Sequence, residues 1–181
     1  MIFTALRDHV RQHSVREGDF TLKSGRTSTW FCDAKQTICR PDGMLLVADA
    51  ALEVIPADIT AIGGLTMGAD PVAYAIAAIA ATRGRELRTF SIRKEAKDHG
   101  VEGRLAGALQ AGDKVVITED AVTRGTSIME AVEVVKALGA EPILALAIVD
   151  RGGTCEGMVG EAGMDFRALV TAPDLGFEYG S

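Results

Sequence analysis

The densest chemistry in this sequence lies in VVITEDAVTRGTS, residues 115–127. An apolar run ends in two adjacent carboxylates, Glu119 and Asp120, followed by small and hydroxyl-bearing residues that open a helix. Backbone amides at a helix N-terminus, with Thr123, Thr126 and Ser127 beside them, suit a phosphate monoester. Gly125 lets the backbone approach an anion closely. The plainer reading of the same residues is a strand-to-helix turn with capping hydroxyls and solvated acids, and spacing alone leaves both open.

Other candidates stand apart from this run. FSIRKEAKDHG, residues 90–100, holds Arg93, Lys94, Lys97 and His99 within seven residues of a chain whose net charge is −6. Such a run is usually a solvated loop, but a basic, glycine-bounded loop is also what closing over an anionic leaving group requires. Trp30 and Phe31 read either as a core anchor or as a cover for a flat ring. Arg151, after Asp150, reads either as a surface salt bridge with Asp150 or Glu156 or as an anion contact. His9 and His13, with Arg11 and Arg16 nearby, are expected on an exposed helix face and not on a metal.

The elements that must position these groups alternate. Apolar Ile2, Phe3, Leu6 and Val10 predict an amphipathic helix over 2–13. Residues 18–36 read as short strands and loops. Asp42-Gly43 precedes a predicted helix over 44–54, and 59–62 reads as a strand ending in Gly63-Gly64. Residues 69–82, with Pro71 in the first turn and Gly84 beyond the end, predict a second helix. Residues 87–92 read as a strand, 94–107 as a polar, Gly-punctuated stretch, and 114–118 as a strand. Ser127 and Glu130 form a capping-box signal for a helix closed by Gly139, and 142–149 and 166–170 read as further strands. Strands alternating with helices predict one α/β domain over 1–181, its central, mostly parallel sheet flanked by helices. Ligands in such sheets bind beyond the carboxyl ends of the strands, which is where the loops after Ile62, Ile92, Thr118 and Val149 lie.

Composition narrows the function classes. A chain of 181 residues, 48% apolar and 24% charged, buries a real core. Its acidic balance argues against general affinity for nucleic acid or anionic membrane. Cys32, Cys39 and Cys155 form no C-x-x-C pair, so neither a disulfide framework nor a zinc site is expected and a reducing, cytoplasmic location fits better. No apolar run reaches the length of a membrane span.

Residues 115–127 resemble the phosphoribosyl-pyrophosphate motif of type I phosphoribosyltransferases: apolar strand, two acids, then T-x-G-[TS]-[ST]. The resemblance implies that Glu119 and Asp120 hold the ribose hydroxyls. It also implies that Ala121, Val122, Thr123, Arg124, Gly125, Thr126 and Ser127 cradle the 5′-phosphate. GDFTLKSGRTSTWFCDAK, residues 18–35, resembles the N-terminal hood of orotate phosphoribosyltransferases, G-x-F-x-L-x-S-G-x-x-S followed by aromatics and D-x-[KR]. By that resemblance Lys23 contacts orotate or pyrophosphate, Trp30 and Phe31 cover the pyrimidine, and the hood spans about 1–40. Residues 93–100 resemble the R-K-E-x-K-x-H-G lid of the same family. Lys97 and His99 would then stabilise or protonate the departing pyrophosphate while Arg93 and Lys94 bind it. Arg151 falls where family members place an arginine for the orotate carboxylate, and Thr123 lies beside the same substrate. One departure stands out: where many members carry a lysine, the loop GGLTMGADPVA, residues 63–73, reads Thr66-Met67.

The resemblance, spanning about 18–151, thus implies an Mg²⁺-dependent orotate phosphoribosyltransferase of de novo pyrimidine (UMP) biosynthesis. Lys97, His99 and Asp120 would be catalytic, and the products orotidine 5′-phosphate and pyrophosphate. Mg²⁺ is expected on the substrate and water, with no direct protein ligands. A homodimer is implied, the lid over 93–104 reaching the partner's active site. A purine phosphoribosyltransferase would share 115–127 but lack the hood and lid motifs. A regulator that senses phosphoribosyl pyrophosphate would need a nucleic-acid-binding appendage or a basic face.

Overall fold

A computed structural model describes residues 2–21, 25, 27–97 and 103–180, the side chains of 96 and 97 apart. Helix α1 (Ile2–His13) leads into a hairpin of β1 (Val15–Thr21) and β2 (Thr27–Cys32), paired antiparallel with a bulge between Glu17 and Phe20. A short α2 (Lys35–Ile38) and α3 (Pro41–Val54) follow. Then come β3 (Ala61–Leu65), α4 (Ala69–Thr82), β4 (Arg88–Lys97), β5 (Gly103–Gly107), β6 (Lys114–Val122) and α5 (Thr126–Ala137). The chain ends with β7 (Glu141–Asp150), α6 (Cys155–Glu161), β8 (Asp165–Thr171) and a 3-10 turn, Pro173–Leu175.

Six strands form one sheet in the order β5-β4-β3-β6-β7-β8, parallel throughout except for the antiparallel β4–β5 pair. The chain leaves β3 toward one edge and returns on its other side through β6. The crevice at the carboxyl ends of β3 and β6 is therefore the switch point at which sheets of this kind place ligands.

Alternation along the strands builds a core on each face. Ile62, Val116, Leu144, Leu146 and Ile148 face α3 and α4, whereas Val115, Ile117, Ala145 and Ala147 face α5 and α6. On the first face α4 buries Val72, Ala73, Ile76, Ala77 and Ala80, a helical stripe of mostly small residues that lets it approach α3 closely. Truncating Leu146 to Ala would cost about 2–5 kcal/mol. Leu6, Val10, Trp30 and Cys32 belong to the same buried cluster, so α1 and the hairpin are built onto the main core.

Several expectations shift. Asp42-Gly43 lies inside the first turn of α3, because Pro41 takes the first helical position. The polar, Gly-punctuated reading of 94–107 missed two strand segments: β4 continues to Lys97, and β5 over Gly103–Gly107 pairs antiparallel with it. Helix α5 is capped by Gly125 with no side-chain cap, so the Ser127–Glu130 capping box does not form. Glu130 instead accepts from Arg104 of β5. His9 is not on an exposed face. It is buried, its Nδ1 is 3.2 Å from Thr37 Oγ1, and its Nε2 is 3.3 Å from Asp42.

Candidate active site

Strand β6 runs two residues past the acid pair, so Glu119 and Asp120 sit in its last turn of pairing with β7. Both carboxylates are buried, at 9% and 7% exposure. Burial first, and then the neighbouring Asp120, push the Glu119 carboxyl up to about 8. Two such acids side by side need a cation, and Lys35 of α2 supplies it: its Nζ donates to Asp120 Oδ2. Partial burial works against the ammonium, but the bond to Asp120 and the charges of Asp120, Asp33 and Glu119 together outweigh it and raise its pKa. Lys35 is the final residue of the hood's D-x-[KR] pattern, yet nothing local in the sequence ties it to an acid eighty-five residues away.

Beyond the acids the chain turns at Thr123 and Arg124, both exposed, and enters α5 through Gly125 at φ 83°. Only glycine takes that conformation without strain, and there is no room for a side chain: a Cβ would lie 2.8 Å from Cys155 Sγ. The result is a pocket of about 230 Å³ lined by Glu119 and 121–128. The first-turn amides of α5 have no helical acceptor and point their positive end into it. A larger cavity of about 470 Å³ beside α1, α3 and α4 holds no comparable set, since its Arg83 is already paired with Asp49.

The loop after β3, residues 66–68, closes the other side. Gly68 has ordinary helical dihedrals, so its lack of a side chain serves space alone: a Cβ would collide with Glu119 Oε1 and lie 2.7 Å from Asp120 Oδ1. Thr66 Oγ1 donates to Asp70 at 2.6 Å, and Met67 is exposed.

Arg151 leaves the end of β7 and packs its guanidinium on Trp30, with Cζ 4.4 Å from the ring centroid. Its partner is therefore neither Asp150, whose Oδ1 accepts from the amides of Gly152 and Gly153 at 2.9 and 3.0 Å, nor Glu156. The loop 150–153 lies against the turn that leads into α5, because a Cβ on Gly152 would collide with the Thr123 carbonyl and Thr154 Oγ1 donates to that carbonyl at 3.1 Å. Trp30 is fully buried, stacked on Phe177 at 4.2 Å, so its indole has no open face for a substrate ring. Of the expected aromatic pair only Phe31 is exposed. Cys32 lies near Arg151 and Asp120, its thiol pushed up to about 12 chiefly by burial, which leaves it protonated and inert.

In the hairpin, Arg93 Nη1 donates to the Leu105 carbonyl at 3.3 Å, and Lys94 is exposed. Arg104 donates to the Arg93 carbonyl at 2.7 Å and pairs with Glu130, tying the hairpin to α5. Lys23, His99 and the side chain of Lys97 lie outside the described residues. No described helix is long and apolar enough to cross a membrane.

No protein-family model matches the chain, but individual proteins do. It is 37% identical to the orotate phosphoribosyltransferase of Nostoc sp., over 96% of this chain and 85% of that protein. It is 40% identical to the orotate phosphoribosyltransferase of Bradyrhizobium diazoefficiens, over 92% of this chain and 91% of that one. Among solved structures, Mycobacterium tuberculosis orotate phosphoribosyltransferase in complex with Fe(III) dicitrate superposes with a TM-score of 0.88 at 32% identity, covering 98% of this chain and 100% of that one. The same enzyme in complex with phosphoribosyl pyrophosphate gives 0.83 at 29% identity, covering 98% and 100%.

Proposed function

This chain belongs to the orotate phosphoribosyltransferases, and we propose that the crevice between β3 and β6 is where it transfers the phosphoribosyl group of phosphoribosyl pyrophosphate to orotate in pyrimidine biosynthesis. The observation that carries this reading is the buried acid pair Glu119–Asp120 set directly before the pocket at the N-terminus of α5.

Orotate's ring nitrogen forms a bond to the anomeric carbon as the bond from that carbon to pyrophosphate breaks, its electron pair leaving with pyrophosphate. The ribose 2′- and 3′-hydroxyls meet Glu119 and Asp120, and residues 121–127 hold the 5′-phosphate. Both anchors fix the ribose so that only C1 moves along the reaction path. Arg151 meets the orotate carboxylate, with Lys23, Phe31 and Thr123 beside the ring. Trp30 acts through Arg151. Arg93, Lys94, Lys97 and His99, from the lid of a dimer partner, meet the charge that builds on the leaving oxygen.

The residues suit Mg²⁺ as a guest of the substrate. Among the described residues no three His, Cys, Asp or Glu converge on one point, while the acid pair would reach such an ion only through the waters it keeps. Mg²⁺ carried in by phosphoribosyl pyrophosphate would neutralise the leaving group's charge.

The test is loss of orotate ultraviolet absorbance with phosphoribosyl pyrophosphate and Mg²⁺, run beside Lys97→Ala. Rapid consumption slowed about a hundredfold in the variant is expected. A folded, Mg²⁺-replete protein that consumes no orotate would overturn the assignment.

A further inference from the structure

We propose that the segment 176–180 is a positioning element of the orotate subsite, holding Arg151 through Trp30 and through the loop 150–153. The inference rests on the reading of Arg151 as the cation for the orotate carboxylate.

Four side chains form a column. Arg11 Cζ lies 4.8 Å from the Phe177 centroid, Phe177 stacks on Trp30 at 4.2 Å and 3°, and Arg151 Cζ lies 4.4 Å from the Trp30 centroid. Phe177 and the Arg151 guanidinium cannot share one face of the indole at those distances, so they clamp it from opposite sides. The backbone is gripped as well. Gly180 N donates to the Arg151 carbonyl at 2.8 Å, and Arg151 N donates to the Val122 carbonyl at 2.8 Å. The Tyr179 ring lies so close to Gly153 that a Cβ there would meet it at 2.8 Å. The segment reaches this position because the Phe177 amide donates back to the Ala172 carbonyl at 3.0 Å.

What the column holds is an unsatisfied cation. Arg151 is half-buried, its Nε is buried without a hydrogen-bond partner, and its one bond is from Nη2 to the Trp30 carbonyl at 3.4 Å. Among the described residues it forms no ion pair. A guanidinium on a free side chain would spread over many rotamers. Laid flat on a clamped indole, it presents a fixed fork to a planar carboxylate. Orotate differs from the other pyrimidines by that carboxylate, so the segment bears on substrate choice and not on the ribose chemistry.

Phe177→Ala should therefore raise the KM for orotate about tenfold, leaving kcat and the KM for phosphoribosyl pyrophosphate within about twofold. Phe177→Tyr, which keeps the ring, should restore it. Arg151→Ala should raise the orotate KM about a hundredfold, and Phe177→Ala added to it should do almost nothing more, since the two act as one unit. Should Phe177→Ala fail to fold, Tyr179→Ala, which disturbs only the Gly153 side, should give the same orotate-only rise. An unchanged orotate KM in a folded Phe177 or Tyr179 variant, or equal losses for both substrates, overturns the inference. An unchanged orotate KM in Arg151→Ala overturns the reading of Arg151 itself, which is a separable failure.

Discussion

Lys35 of α2 donates its ammonium to Asp120 near the end of β6, placing a cation from the N-terminal part of the chain on the buried acid pair. Gly68 of the loop after β3 packs against the same two acids. That loop reads Thr66-Met67 and so brings no lysine of its own. On the proposed reading, the Lys35 ammonium would pass from Asp120 to the pyrophosphate when ribose hydroxyls take over the carboxylate. Lys35→Met should raise the KM for phosphoribosyl pyrophosphate about tenfold to a hundredfold with little change for orotate. Initial rates with each substrate varied would decide it, and an unchanged KM for phosphoribosyl pyrophosphate would count against a role for this ammonium.

Gly68 gives a steric test free of backbone strain. At φ −61° alanine would be as comfortable there as glycine, yet its Cβ would strike Glu119. Gly68→Ala should thus leave helix α4 formed but displace the acid pair, lowering kcat/KM for phosphoribosyl pyrophosphate about a hundredfold or more. Circular dichroism unchanged from the parent, with activity lost, is the expected combination. Full activity would mean that the loop moves aside at no cost.

How much of this arrangement can be read from sequence depends on distance along the chain. Glu119, Asp120 and the glycine-led turn are contiguous, and a buried β-strand before them marks them as a strand-to-helix loop. The four-residue α2 and the seven-residue α6 escape because each is too short to show a full apolar period; α6 buries only Cys155 and Val159 and carries two glycines. Strand β5, GRLAG, has no β-branched residue to announce it and exists through its pairing with β4. The Lys35–Asp120 and Trp30–Phe177 contacts leave no local trace at all, since they join segments far apart in the chain. Trp30 shows the same limit in reverse: its type invites a ring-stacking role, and only packing reveals that Phe177 and Arg151 already occupy its faces.

Glu119 makes stability depend on pH. Its carboxyl is raised from 4.5 to about 8 in the folded chain. Below the unfolded value both states hold the proton and nothing is lost. As pH rises from about 4.5 to about 8, the unfolded chain releases the proton while the folded one keeps it, so stability falls across that window and levels off above it. Glu119→Gln lacks this titration. Its melting temperature should match the parent near pH 4.5 and exceed it by roughly 10 °C or more near pH 8. A difference that stays the same at both pH values would show that the carboxyl titrates normally.

Gly125 ties the pocket at the N-terminus of α5 to fold stability through two separate costs. Its φ of 83° is left-handed, and the space beside it is filled by Cys155. Gly125→Ala must therefore either strain the backbone or push α5 away from α6, at a cost of about 1–3 kcal/mol and roughly 2–4 °C in melting temperature for each kcal/mol. The same shift misaligns the first-turn amides of α5, so binding should suffer beyond the loss of stability. Phosphoribosyl pyrophosphate at about a hundred times its Kd should stabilise the parent by about 2.7 kcal/mol, and should barely move the Gly125→Ala transition. Equal ligand-induced shifts in the two proteins would place the 5′-phosphate somewhere other than the N-terminus of α5.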